Sequence, residues 1–220
     1  MAVKIGVLGA TGPAGSGLAI RLASVGYEVI IGSRSKYRAM EVRDNLVARW
    51  ESRNLEIGAA DNIGAAGADV VVLATPWDAA AATAMQVAPQ LKGKVVLCMC
   101  NALARVANEF QPLVPPRGSV AASVQAAVPR ALVAAAMHHV PAKELGELSE
   151  PVESDVLVCS DHPKATEVVS EIVARMPNLR PLDAGQLSNA APIEAFAAVL
   201  LQLNVRYKTR SAIRFTGIPS

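Results

Sequence analysis

Hydrophobic positions fall into short blocks whose spacing alternates between that of strands and that of helices. Residues 4–8 form a β-branched run ending in Gly9, the mark of a strand. Residues 12–25 follow with Leu18, Leu22 and Val25 on one helical face, and Gly26 is placed as the C-terminal stop. A second strand over 28–31 leads to a polar helix over 36–53 with Met40, Leu46, Val47 and Trp50 as inner residues, then a short strand over 55–57. Residues 68–74 (ADVVVLA) are almost unbroken in their apolar character, which central parallel strands covered on both faces require.

The alternation continues with a helix over 78–91 and a strand over 94–99. Residues 101–116, with three prolines, read as irregular. A helix over 119–128 has Ser119 as N-cap and precedes a strand over 132–136. An acidic loop over 143–153 leads to a strand at 155–159 and a helix at 163–175 with Pro163 in its first turn. A last strand over 179–182 and a very apolar, hence buried, helix over 189–207 complete the chain, with Leu187-Ser188-Asn189 offering that helix an N-cap. Strand–helix alternation without a linker or repeat gives α/β: a Rossmann-type doubly wound, mainly parallel sheet in one domain, 1–220.

Composition narrows the function classes. Of 220 residues, 52% are hydrophobic but only 4% aromatic, so the apolar content is aliphatic and fits a sheet buried on both faces. The densest apolar stretch, 193–205, contains Glu194, Gln202 and Asn204 and is too short to span a bilayer. The N-terminus runs directly into the first strand without a leader pattern, so the chain reads as cytoplasmic, with no membrane partner. A net charge of +2 gives no electrostatic case for nucleic acid. Cys98, Cys100 and Cys159 form no disulfide framework and read as buried free thiols. His138, His139 and His162 have no metal or triad spacing.

The sharpest local signal is Val7-Leu8-Gly9-Ala10-Thr11-Gly12-Pro13-Ala14-Gly15, with glycines at 9, 12 and 15 between a strand and a helix. A turn without side chains lets backbone approach a pyrophosphate, and the helix N-terminus supplies free N–H groups. The end of the second strand selects the nucleotide. An NAD site calls for an acid there to bind the ribose 2′-hydroxyl. This chain instead has Gly32-Ser33-Arg34-Ser35-Lys36-Tyr37-Arg38. Arg34 and Ser33 suit a 2′-phosphate, with Lys36 or Arg38 adding charge, so NADP(H) is expected.

VLGATGPAG, IIGSR, ATPWDAA, MHHVPA and LRPLDAGQLSN, in that order, resemble the NADPH:coenzyme F420 oxidoreductase family over essentially the whole chain, down to Ala212-Ile213-Arg214-Phe215-Thr216-Gly217. The resemblance implies a dinucleotide-binding core over 1–140. A small C-terminal part over 141–220 would complete a cleft for the deazaflavin F420. It further implies a cytoplasmic homodimer that passes hydride reversibly between nicotinamide and deazaflavin. Carried over by residue, Thr11, Gly12, Pro13 and Ala14 fall in the phosphate loop, and Ser33, Arg34 and Arg38 at the 2′-phosphate. Thr75 and Pro76 fall beside the nicotinamide ribose. Ala142 matches a cofactor-contacting alanine, and Asn101, Val140 and Pro141 fall where the two rings meet, with His138 as the candidate catalytic residue tuning the deazaflavin. His139 reads as structural.

The chain departs from the family at Pro13-Ala14 (Asn-Leu), at Ala79 (His in some members), at Asn101-Ala102 (Val-Pro) and at His139 (often Thr). Direct transfer between two carriers needs alignment and exclusion of water more than an acid–base dyad. Two alternatives share the phosphate loop and basic cluster: an NADPH-dependent reductase of a flavin, ferric chelate or imine, and a non-catalytic NADP(H) sensor.

Overall fold

The computed structural model of the chain describes residues 3–218; Met1 and Ala2, part of the stretch read above for a leader, lie outside the described residues. The elements in chain order are β1 (Lys4–Leu8), α1 (Pro13–Ser24), β2 (Glu28–Ser33), α2 (Lys36–Arg49), β3 (Ile57–Asp61), α3 (Asn62–Ala65), β4 (Val70–Leu73), α4 (Trp77–Gln86) and α5 (Ala88–Leu91). They continue with β5 (Val95–Cys98), β6 (Leu103–Val106), β7 (Glu109–Pro112), α6 (Val120–Ala127), β8 (Leu132–Ala135) and α7 (Ala142–Leu145). β9 (Ser154–Ser160), α8 (Pro163–Ala174), β10 (Leu179–Asp183) and α9 (Ala190–Tyr207) complete the order.

Eight strands form one sheet in the order β10-β9-β8-β5-β4-β1-β2-β3. All neighbours are parallel except β8 and β9, so the last two strands run against the rest. The unbroken apolar run of β4 has the expected cause. Val70 and Val72 enter the core on one face, with Leu18, Leu22, Val169 and Ile172. Val71 and Leu73 enter the core on the other, with Ala80, Ala84, Val120 and Val124. The chain winds outward from β1 in both directions. This creates a crevice at the carboxyl ends of β1 and β4, where open α/β sheets place their ligands.

Several expected elements differ. Residues 101–116 are not wholly irregular: β6 and β7 form an antiparallel hairpin in which Phe110 N–H donates to Gln202 Oε1 of α9 (3.3 Å). The third strand runs from 57 to 61 rather than 55 to 57. The helix expected over 78–91 breaks at Val87, and Pro89 lies in the first turn of the second piece. On α2, Ala39 is buried and Val42 and Leu46 pack on the core, while Met40 is exposed. The acidic loop opens with α7. The helix α9 is only half covered: Ile193, Ala197 and Leu200 are buried, but Phe196, Val199 and Leu203 are exposed. It has no side-chain cap: a 3-10 turn over Leu187–Asn189 runs straight into it with Asn189 already helical, and Asn189 Nδ2 donates to the Ala184 carbonyl (2.6 Å).

The chain's last segment is tied to the sheet edge. Asp155 of β9 is fully buried and receives Arg180 Nε and Nη2 (2.8 and 2.7 Å), Arg214 Nη1 (3.1 Å) and Phe215 N–H (2.6 Å). Arg180, with the Phe215 N–H and Arg214, holds its carboxyl well below the usual carboxylate range despite burial. No helix among the described residues is long and apolar enough to cross a membrane.

Candidate functional site

The crevice at the ends of β1 and β4 is a cleft of ≈ 840 Å³. Its floor is the turn from β1 to α1. Gly9 has φ +86, and a Cβ there would stand 2.7 Å from the Ala74 backbone, so only glycine lets the turn approach β4 this closely. Gly15 is packed as tightly, with a notional Cβ 2.8 Å from Gly9 O and Ala10 Cα. At Gly12 the space is open, the nearest atom being Gly9 O at 3.7 Å. The first bond of α1 back to its N-cap is Ser16 N–H to Gly12 O (2.9 Å). Pro13 has no N–H, and Gly12 has no side chain to cap the turn. The N–H groups of Ala14 and Gly15 are therefore free of helical partners at a positive dipole end. That cradle fits a pyrophosphate.

One wall carries Ser33, Arg34, Ser35 and Arg38. Ser35 caps α2 by accepting from Arg38 N–H (3.4 Å), and the first turn has no acid. Arg38 pairs with Glu41 (2.6 Å), whereas Arg34 makes no ion pair among the described residues. The cationic wall thus centres on Arg34; Lys36 does not line the cleft. The opposite wall is Thr75, Pro76 and the α4 residues Ala79, Ala82, Thr83 and Gln86. Cys100 braces that wall from below, its thiol donating to the carbonyls of Leu73 (3.3 Å) and Thr75 (3.2 Å).

A second, smaller cavity of ≈ 170 Å³ adjoins the first at Ala14, which lines both. It is lined by Met99, Asn101, the segment from Met137 to Ala142, and the α9-side residues Ala197, Leu200, Leu201, Asn204 and Ser211. Close helix packing sets its rim. A Cβ on Gly17 of α1 would lie 2.7 Å from the Ala142 carbonyl. Arg21, 5% exposed, donates to the carbonyls of Leu145 (3.0 Å) and Glu144 (2.6 Å), holding the C-terminal end of α7. Met137 adopts φ +70, a left-handed kink that turns the chain out of β8.

His138 and His139 are both buried. Burial, reinforced by His139, pushes the His138 imidazole down to about 3, so its ring is neutral at physiological pH and supplies no imidazolium proton. His139 Nε2 lies 2.7 Å from the Ile193 carbonyl, the satisfied structural role expected of it, although the residue also lines the cavity. His162 stands at the N-cap position of α8 without a side-chain capping bond, its Nε2 lying 3.1 Å from Gln125 Oε1. All three cysteines are free and buried. Hydrogen bonding to Cys100 and burial hold the Cys98 thiol well above its ordinary range, and burial pushes the Cys159 thiol up to about 12, so neither is a thiolate. Among the described residues no group of three or more His, Cys, Asp or Glu could hold a metal ion.

The structure brings the fifteen sequence-chosen residues to these two adjoining cavities. Gly9, Thr11, Gly12, Pro13, Ala14, Ser33, Arg34, Arg38, Thr75 and Pro76 line the first, and Asn101, His138, Val140, Pro141 and Ala142 the second. The sequence reading missed the α4 wall and Asn62. Asn62 lines the cleft at the end of β3, nine-tenths buried, with Oδ1 unpartnered. The polar pair Asp61-Asn62 was the available signal, hidden by a strand placed too early.

Comparison with known proteins adds the following. Residues 4–102 match a family described as NADP oxidoreductase, coenzyme F420-dependent. The F420-dependent NADP reductase of Methanocaldococcus jannaschii is 35% identical, covering 98% of this chain and 99% of that protein. That of Methanothermobacter thermautotrophicus is 36% identical, covering 100% and 97%. A crystal structure from Arthrobacter sp. FB24 has a TM-score of 0.76 at 24% identity, covering 94% of this chain and 96% of that one, a likeness of fold.

Proposed function

The chain belongs to the F420-dependent NADP reductase family, and on that premise we propose that it is an oxidoreductase transferring hydride reversibly between NADP(H) and coenzyme F420. The observation that carries this reading is the pair of adjoining cavities sharing Ala14, one phosphate-suited with a free arginine, the other small and largely apolar. When bound, the two cofactors would supply a hydride-donating nicotinamide carbon and a hydride-accepting deazaflavin carbon.

The protein's part is to bind, align and dry them. Residues 1–140 of a single domain would hold the nucleotide, with Gly9, Thr11, Gly12, Pro13 and Ala14 at the pyrophosphate. Ser33, Arg34 and Arg38 would take the 2′-phosphate, and Thr75 and Pro76 the nicotinamide ribose. Residues 141–220 would close the second cavity. There Asn101, Val140, Pro141 and Ala142 would border the meeting rings, and His138 would tune the deazaflavin. The low affinity of the His138 ring for a proton fits a site that moves hydride without acid catalysis.

We further read the protein as a cytoplasmic homodimer. The exposed stripe of Phe196, Val199 and Leu203 on α9 supports the dimer, because an apolar helix face of this kind calls for cover. Three unpaired cysteines fit a reducing compartment. Mixing the protein with NADPH and oxidised F420 tests the activity: loss of deazaflavin absorbance is expected. NADPH binding with turnover of FMN or a ferric chelate but not F420 would overturn it.

A further inference from the structure

Parallel strands β5 and β8 end their pairing at Cys98 and Ala135, and Asn101 and His138 lie three residues beyond that pair on their respective chains. Their side chains meet. His138 Nδ1 is 2.9 Å from Asn101 Oδ1, and Asn101 Nδ2 donates to the His138 carbonyl at 3.3 Å. The second bond orients the amide, since only the NH₂ can donate to a carbonyl. Asn101 therefore presents its oxygen to the ring, and an oxygen there can only accept. The proton of the neutral ring must sit on Nδ1. The neighbouring ring is the reverse: His139 Nε2 faces the Ile193 carbonyl (2.7 Å) and carries the proton.

The consequence falls on the far side of His138. Its Nε2 is left as a bare acceptor, buried, with no partner among the described residues. A buried polar atom left unpaired is destabilising, so this nitrogen calls for a donor. The residue lines the cavity in which the two rings are read to meet, and His138 is 6% exposed. Nicotinamide carries a carboxamide N–H, and a deazaflavin an imide N–H.

We propose that Asn101 is a positioning residue that locks His138 as its Nδ1–H tautomer, so that His138 Nε2 accepts an amide- or imide-type N–H from a ring bound in the second cavity. This rests on reading that cavity as the cofactor meeting place. It makes Asn101 act through His138 rather than on the cofactor itself.

Histidine-selective ¹⁵N labelling and long-range ¹H–¹⁵N spectra of the free full-length chain read the tautomer without any cofactor; His139→Gln and His162→Gln together assign the signals of the three histidines. Wild type is expected to show His138 protonated at Nδ1. In Asn101→Leu the tautomer is expected to shift, and F420 affinity to weaken about tenfold, the loss of one buried hydrogen bond. Asn101→Asp, which keeps the acceptor, is expected to restore both and to raise the His138 pKa. Loss of NADPH affinity in place of F420 affinity would identify the donor as the carboxamide.

An Nε2–H tautomer in wild type would overturn the proposal, as would unchanged affinity for both cofactors in Asn101→Leu. Should wild type bind no F420, the functional reading fails; the tautomer spectra and the NADPH arm still decide the role of Asn101.

Discussion

Glu194 offers a prediction that can be worked from geometry to a titration curve. It lies on α9, 3% exposed, and accepts N–H bonds from Val120 (2.8 Å) and Ala121 (3.0 Å) at the start of α6. It thereby ties the helix that lines the second cavity to a helix packed on the sheet. Burial pushes its carboxyl up to about 7, against the lowering effect of the two N–H groups. In the unfolded chain the same group titrates near about 4.3. Between those values the native state binds the proton that the unfolded state has released. Stability must then fall as pH rises through this window, by about 1.4 kcal/mol per unit. The full effect is about 3 kcal/mol between about pH 4 and pH 8.

Glu194→Gln removes the titration while keeping one acceptor for an N–H. Urea unfolding of both proteins at fixed protein concentration and a series of pH values isolates the effect, because every other group is common to the pair. The stability of the glutamine variant relative to wild type is expected to climb by that amount over the interval. Parallel curves for the two proteins would refute the reasoning.

Three further outcomes follow from particular contacts. Arg34→Ala is expected to weaken NADPH binding about 10- to 100-fold, the scale of a lost charge-assisted bond, and to leave NADH nearly unchanged in fluorescence titrations; equal losses would remove the 2′-phosphate role. Gly17→Ala places a Cβ 2.7 Å from the Ala142 carbonyl, so a destabilisation of about 1–3 kcal/mol is expected, with F420 affinity falling more than NADPH affinity. Asp155→Asn removes the charge of a fully buried carboxylate whose partners Arg180 and Arg214 are partly exposed, and should cost about 1–3 kcal/mol and expose the segment 213–218 to limited proteolysis. Because the Asp155 pKa is depressed, that contribution is complete above its unfolded value near about 3.9 and is lost as pH falls below it.

What could be read from sequence followed from local rules. The valines of β4 and the glycines at 9, 12 and 15 are dictated within a few residues of themselves, and both landed where expected. The hairpin of β6 and β7 escaped because its turn uses Ala107 at φ +52, with no glycine or Asn-Gly signal, and because its support comes from Gln202 on α9. The half-exposure of α9 escaped for another reason. Composition reports that a helix is apolar, and does not say whether sheet or a second subunit covers it. Asn101 and His138 could each be nominated, but their hydrogen bond joins residues 37 apart through the register of β5 and β8. Pairings of that kind exist only once the sheet is assembled.

The central claim is direct hydride transfer between two carriers held in adjoining cavities. NADPH deuterated at the nicotinamide C4, as each of its two stereoisomers in turn, is mixed with the protein and oxidised F420 in ordinary water, and the reduced F420 is weighed by mass spectrometry. The expected result is one deuterium retained in the product from one stereoisomer and none from the other. Deuterium lost to solvent from both, or bound NADPH that never reduces F420, would contradict the account.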